Sequence, residues 1–527
     1  MPEPGQRVRP PHPTRRALVR GAAWATPTAL MTVGAPAMAI SNGGCQPANS
    51  KFNAQSRGRL VSGAIGGANL DVLASVDGVH AQAVAGTPTD QKVGALSVSA
   101  LQAVQLNFGA LTGTLSTILS NLAAQNSGLL NQYAFANELA AGTNTAEVGA
   151  SGAVSNSSGA INLDQSQAAP PALGTLDLRS LLAQATQLSG VANLVASVAQ
   201  LQLQIGAVAG IATFDSLCTV VDEDEVDRDY LVAYLRLLVA SDVVGTILNA
   251  VPNALSVDTN SILDALKGVP LLGDLLALVG SNLTVAATVD TTALKGTPIP
   301  QSGHPALQLD LSKGTVLIDL ASLLGGPYSS GISGWLNGLD PNTRLFVDAK
   351  LPSGGVASVV NTLANDLKTR LTQLISVKIS AGNVTGPVKR GLLIEGTLES
   401  LLNGTAKASF FLVAEINLGS ALAPLLKTLG GVVQTALDAL FAPGGAIATA
   451  LSGVSSLLST LFSVLEGVLA ITLNAQNVAS GSMPDYYRAI SPSGRYDVGA
   501  LHLQIIGVAN LLNLSLGRGS VGENTVR

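Results

Sequence analysis

The chain has 527 residues, a net charge of −5, and 12% charged against 47% hydrophobic residues. That apolar content excludes a disordered chain, which needs low hydrophobicity and high charge. No basic stripe follows the N-terminal segment, which excludes the clustered Lys/Arg footprint of a nucleic-acid binder.

Arg7, Arg9, Arg15, Arg16 and Arg20 precede a short apolar run from Ala22 to near Val33. The run is too short to span a bilayer. Ala37-x-Ala39 offers the small side chains at which a signal peptidase cuts. The reading is an export signal over residues 1–39, cleaved after Ala39, which leaves roughly 490 residues. Arg15-Arg16 point to the twin-arginine route, with an ordinary Sec signal as the alternative. Cys45 and Cys218, the two cysteines, read first as one disulfide in an oxidising compartment. Closing so long a loop is worth roughly 4–5 kcal/mol in a chain-entropy account. A lipid-modified Cys45 is the rival reading, with Asn42-Gly43-Gly44 before it and no Leu at the expected position.

Residues 40–56 form a polar lead-in. Arg59–Gly63 and Leu70–Leu73 read as short strands separated by Gly-Gly. Period-2 patches between Val93 and Phe108 predict half-buried antiparallel strands. Residues 109–130 read as a helix, and 131–137 and 147–155 as strands, with Ala150-x-Gly152 set against a neighbouring backbone. Leu176–Leu201 keeps helical spacing and runs into the alternating Leu201–Ile205. The same succession of Leu/Val helix and Thr/Val/Ile strand returns at 262–279 into 283–289, 356–375 into 377–379, and 446–468 into 469–473. It suggests a degenerate repeat of helices covering sheets. On the helix at 356–375, Asp366 and Arg370 stand four apart and are expected to pair. Residues 439–465 carry no charge. Their Gly, Ser and Thr content predicts a helix buried against sheet and not a membrane span. Arg495–Gly519 returns to strands.

The predicted fold is α+β, mainly β: antiparallel β-sandwich-like sheets with amphipathic Leu/Val-rich covering helices in an elongated ectodomain. The spans are a β-rich domain with helices at 40–240, a middle α+β region at 241–350 and a C-terminal α+β domain at 351–527.

Chemistry is sparse. His12, His80, His304 and His502 stand far apart, and no zinc, nucleophile-elbow or phosphate-loop motif occurs. His502, in an alternating strand, reads as a solvent-facing or satisfied strand residue. The acidic run from Asp222 to Asp229 offers oxygen ligands to Ca²⁺ through Asp222, Asp224, Asp227 and Asp229, but not in EF-hand order. A solvated acidic loop is the plainer reading. Trp335, Tyr328, Tyr486 and Tyr487 are the candidate aromatics for a sugar platform, against simple burial with one bonded polar tip. No catalytic residue and no cofactor is expected.

The stretches Phe52–Gly63, Val148–Val154, Leu309–Val316 and Leu514–Gly522 resemble the choice-of-anchor G family of actinobacterial exported surface proteins. The resemblance implies a long secreted or wall-associated ectodomain of a Gram-positive envelope, without established enzymatic role. Relatives differ in their C-terminal anchors. Here no Leu-Pro-x-Thr-Gly, terminal apolar helix or basic tail follows Val521, so release or non-covalent retention is expected. The combined expectation is a non-catalytic structural or adhesive protein that meets a cell-wall or surface component. The alternatives are an exported hydrolase with a dispersed site and a carrier of an apolar ligand. The oligomeric state is left open.

Overall fold

The computed structural model describes residues 51–73, 76–96, 103–117, 119–120, 129–138, 146–155, 172–216, 226–253, 255–269, 282–301, 303–352, 354–385, 387–411, 415–478, 481–489, 495–508 and 510–527. The chain opens with β1 (Phe52–Ile65), β2 (Ala68–Asn69), β3 (Val79–Ala83), β4 (Thr89–Ala95), β5 (Gln105–Phe108), β6 (Leu111–Thr114), β7 (Leu119–Ser120), β8 (Leu129–Asn137) and β9 (Ala146–Ser155). Next come β10 (Ala172–Asp177), α1 (Leu178–Leu182), α2 (Val191–Ser197), β11 (Gln200–Gly206), β12 (Val208–Ser216), β13 (Val226–Val232) and β14 (Leu235–Ala240). They lead to α3 (Asp242–Ala250), α4 (Thr259–Lys267), β15 (Leu283–Val289), α5 (Thr291–Lys295), β16 (Leu307–Asp310), β17 (Thr315–Asp319), α6 (Leu320–Leu324) and β18 (Thr343–Arg344). The last third holds α7 (Gly355–Leu374), β19 (Ile375–Asn383), β20 (Arg390–Thr397), α8 (Leu398–Asn403), β21 (Lys407–Phe411) and β22 (Glu415–Asn417). It ends with α9 (Ala423–Phe441), α10 (Ala446–Val468), β23 (Leu469–Gln476), α11 (Asp485–Ala489), β24 (Tyr496–Ile505), β25 (Leu512–Val521) and β26 (Thr525–Val526).

The fold is α+β and mainly β, with antiparallel sheets. An eight-stranded central sheet runs β18-β23-β24-β25-β1-β2, with β3 and β26 also on β1. A five-stranded sheet, β13-β12-β9-β8-β4, lies across it. β9 packs on β1 and β25, and β12 on β24 and β25. The central sheet thus draws on both ends of the chain, so the spans 40–240 and 351–527 share a sheet. The approach of the two layers is close. A Cβ on Gly210 of β12 would sit 2.0 Å from the Gly517 carbonyl oxygen.

Two further sheets carry the helices: β16-β17-β14-β11-β10-β7 and β15-β19-β20-β21-β22. One ribbon joins the first of them to the sandwich. β11 and β12 run together opposite β14 and β13, bending at Ala207 and Ala233, where Gly206 N–H donates to Tyr234 O and Ala233 N–H to Ala207 O.

A recurring junction connects strands to helices. Asp177, Asp290, Asp319 and Thr397 each end a strand or follow one, and each side chain accepts the N–H three residues on. Asp177-Leu-x-Ser-Leu-Leu182, Asp319-Leu-x-Ser-Leu-Leu324 and Thr397-Leu-x-Ser-Leu-Leu402 are one short motif used three times. Its oxygen satisfies an N–H that the first helical turn cannot.

Several expectations change. The lead-in already pairs from Phe52, because β26 and β25 flank it. Leu70–Val72 is a 3-10 turn, capped by Asn69. Residues 111–114 form β6 rather than helix, paired to β5 in a hairpin. The single helix expected at 176–201 is α1 and α2, divided before Gly190, whose φ of 78° a continuous helix cannot hold. The Asp366–Arg370 pair does not form. Arg370 leans toward Gln373 at 3.4 Å, while Lys368 reaches Asp438 of α9 at 2.8 Å.

α9 and α10 contain a stretch long and apolar enough to cross a bilayer by length and composition, half of it buried in the protein. On α10, Val454, Leu458, Leu461, Phe462 and Leu465 are buried, while Ser452, Ser456, Ser459, Thr460 and Ser463 face out. α10 packs on α2, α3, α7, α9 and β23. Its apolar stripe is therefore a core face, as an amphipathic helix on a globular body requires.

Candidate functional site

The richest set of reactive side chains lies on one face of the central sheet. Cross-strand register builds it in rows. His80, Arg57, Ser520 and Asp497 are successive neighbours across β3, β1, β25 and β24. Arg59, Arg518 and Gly499 form the next row. Ser62, Ser515, His502 and Thr472 form a third, extending to β23.

Strict alternation would put the third row on the opposite face. Gly517 resets it. Its φ is 61°, and the pairs Leu60–Gly517 and Ala500–Gly517 are missing from otherwise continuous ladders.

Two segments cover this face. α11 brings Tyr486 and Tyr487, and the turn after β2 brings Asp71 and Asp77. Arg518 Nη2 pairs with Asp497 Oδ1 at 2.9 Å, and Nη1 donates to Tyr486 Oη at 2.9 Å. Tyr486 Oη donates to Asp71 Oδ2 at 2.8 Å, and Asp71 Oδ1 takes Arg59 Nη1 at 2.5 Å. Arg59 Nη2 and Arg57 both pair with Asp77. The chain of contacts runs from the fully buried Asp497 to the half-exposed Asp77.

Burial opposes the Arg518 charge, but Asp497, Tyr486 and Tyr487 hold it more firmly protonated than a free guanidinium. Burial likewise opposes ionised Asp497, and Arg518 with Arg495 wins, keeping its pKa below the usual range. Arg57 and Arg59 go the other way: burial lowers both, and neighbouring arginines add to it.

Ser515 and His502 are the nucleophile and base types in contact here. His502 Nδ1 is 3.3 Å from Ser515 Oγ. Tyr487 Oη also closes on Ser515 Oγ, and its ring stands edge-on to His502. Burial, then Arg518, push the His502 pKa down to about 3. Its Nε2 is buried without a partner. Among the described residues no carboxylate orients this imidazole, as a Ser-His-Asp triad requires. His502 is thus a strand residue, but neither solvent-facing nor fully satisfied.

Residues 56–522 match the family described as Domain of unknown function (DUF8394). The chain belongs to this family. The DUF8394 span closes on itself in space. Ser56 pairs with Val521, and Gly522 N–H donates to Gln55 O at 2.9 Å. The rows of Arg57, Arg59 and Arg518 stand just inside that seam. No curated protein matches the chain, and no solved structure does.

The other predicted residues disperse. Arg15, Arg16, Ala37, Ala39, Cys45, Cys218, Asp222 and Asp224 lie outside the described residues. Asp227 and Asp229 stand on β13, and Asp229 Oδ1 accepts the Tyr230 N–H at 2.7 Å. Among the described residues no three His, Cys, Asp or Glu side chains converge as metal ligands would. Tyr486 and Tyr487 belong to the buried network, whereas Tyr328 bonds Asp319 at 2.9 Å and Trp335 packs on Gly325, apart from it. Sequence reasoning missed Arg57, Arg59, Asp71, Asp77, Asp497 and Arg518. The available signal was charge inside strand patterns in a chain with little charge.

Proposed function

We propose that the chain is a non-catalytic, structural or adhesive protein of the cell envelope or its surroundings. One observation carries the reading. The constellation richest in catalytic residue types binds itself: Arg518, Asp497, Tyr486, Asp71 and Arg59 bind one another and join the two ends of the family span. His502 and Ser515 sit beneath Tyr487, each 0% exposed.

The resemblance to choice-of-anchor G proteins agrees with this. The stretches that carry it include β1, most of β9 and β25, which pack together in the sandwich. The N-terminal pattern supplies the route, export with cleavage after Ala39.

Fractionation of the native host into medium, wall and membrane tests the reading, with mass spectrometry of the N-terminus. The expected result is a chain starting near Ile40 in the wall or medium. An uncleaved chain in the cytosol overturns it. So does a hydrolytic activity of the purified protein that Ser515→Ala abolishes without unfolding it.

A further inference from the structure

A second cluster stands at the bend of the β11–β14 ribbon, apart from the Arg518 network, and it reaches the surface. Tyr234 sits at the bend. Arg236 lays its guanidinium 4.5 Å over the Tyr234 ring. Asp319, the cap of α6, takes Arg236 Nε at 3.1 Å and Tyr328 Oη at 2.9 Å. Tyr328 stacks on His304, with 4.0 Å between ring centres and 17° between planes. Trp335 packs on Gly325 at the end of α6, where a Cβ would come within 2.2 Å of the indole. Ser333 N–H donates to Ala233 O, which brings the Trp335 loop back to the bend.

The five outer side chains are partly buried, Tyr234, Tyr328 and Trp335 with one side against the hydrophobic core, while Asp319 is only 4% exposed. Asp319 is thus the fixed post that orients Arg236 and Tyr328. Among the described residues, nothing hydrogen-bonds the Tyr234 hydroxyl, the His304 ring nitrogens or the Trp335 indole N–H, and none of these atoms is a buried orphan. Aromatic faces beside unoccupied donors and acceptors suit a ligand with both C–H faces and hydroxyls. Arg236 and Asp319 cancel in charge, so the cluster selects neither anion nor cation. Aromatics are only 3% of the chain, which makes three of them in one surface cluster a local concentration.

We propose that this cluster is a binding site for an uncharged polysaccharide, with sugar rings stacked on its aromatic faces and hydroxyls bonded by His304, Arg236 and the Trp335 indole. The proposal rests on the surface-contact reading above and names the ligand class of that contact.

The chain has two tryptophans, Trp24 and Trp335. Full-length Trp24→Phe protein therefore reports from Trp335 alone. It is titrated with mannan, galactan, dextran and xylan, and run in native gels containing each. The expected result is a saturable change in emission and retarded migration with at least one of them. Trp335→Ala and His304→Ala then lose roughly threefold to tenfold in affinity, the loss of one aromatic contact. Trp335→Phe keeps most of it and serves if the alanine variant does not fold. If none of the four polysaccharides alters emission or migration of the folded chain, the site is overturned, even where the native protein is found on the wall. Equal retardation of wild type and a folded Trp335→Ala also overturns it. A cytosolic native chain overturns the envelope reading instead, and a saturable signal from Trp335 then still supports the site.

Discussion

Arg518 and Asp497 meet across β25 and β24 with Nη2 2.9 Å from Oδ1, and neither side chain is more than 2% exposed. Such a pair adds little net stability over apolar neighbours, because both charges leave water. Breaking it is another matter, since one charge then stays buried alone. Arg518→Met and Asp497→Leu are each expected to cost about 3–5 kcal/mol. Arg518→Met with Asp497→Leu is expected to recover part of that loss, because the charges go together. Urea unfolding followed by circular dichroism measures all three. Additive costs in the double variant would show that the pair is not coupled.

Acid is expected to weaken the fold well before the carboxylates titrate. Burial and Arg518 push the His502 pKa down to about 3, against about 6.5 in an unfolded chain. Between those values the unfolded chain binds a proton that the folded one refuses. The His502 contribution is therefore whole above about pH 6.5 and is lost as pH falls toward 3, with a slope of up to about 1.4 kcal/mol per pH unit. Tyr486, Tyr487 and Ser515 also face this ring and do not titrate there. Asp497 acts lower: its contribution stands above about pH 3.9 and is lost below it. Urea midpoints at about pH 7 and about pH 4.5 should diverge in wild type and converge in His502→Asn. His80 and His304 shift in the same direction but are part-exposed, so a small slope remains. An unchanged slope in His502→Asn would remove His502 as the cause.

The strands β8, β24 and β25 and the helix α7 were legible because their period is written in consecutive residues. The network was not, because it is written in register. Arg59 reads locally as a charged residue at the start of a short strand. Only pairing with Arg518 and the covering Tyr486, more than four hundred residues away, makes it interior. The division of 176–201 was hidden for a simpler reason. Asp177 and Gly190 sit inside an apolar spacing that a periodicity argument weighs more heavily than one cap and one glycine. The threefold Leu-x-Ser-Leu-Leu motif was visible throughout, and its leading Asp or Thr gives the junctions at once.

The caps of that motif differ in what else they hold. Asp177 bonds its own helix, through Ser180 N–H at 3.0 Å and the Ser180 hydroxyl at 2.6 Å. Asp177→Ala is expected to cost about 1 kcal/mol. Asp319 makes the same cap and also binds Arg236 and Tyr328. Asp319→Ala is expected to cost about 3 kcal/mol or more, because a part-buried guanidinium loses its partner. Thermal unfolding of the two variants side by side checks the ordering. Equal shifts would mean that Asp319 is only a cap.

The spacing of the sandwich can be tested with two glycines. Gly210 lies against the Gly517 carbonyl, with a hypothetical Cβ 2.0 Å away, and also faces Val498 O at 3.3 Å. These are backbone atoms of a paired strand, so they cannot swing aside as a side chain would. Gly210→Ala must push β12 from β25, or bend both, at an expected cost of about 1–3 kcal/mol or more. Gly245, in α3, has nothing within 4 Å of its hypothetical Cβ and an ordinary helical backbone. Gly245→Ala is expected to stabilise by about 0.5–1 kcal/mol, from lower backbone entropy in the unfolded chain. The two substitutions add the same methyl group and are expected to move the unfolding midpoint in opposite directions. A neutral Gly210→Ala would mean that the two sheets can separate freely, and that the turned-out Gly517 carbonyl does not fix their distance.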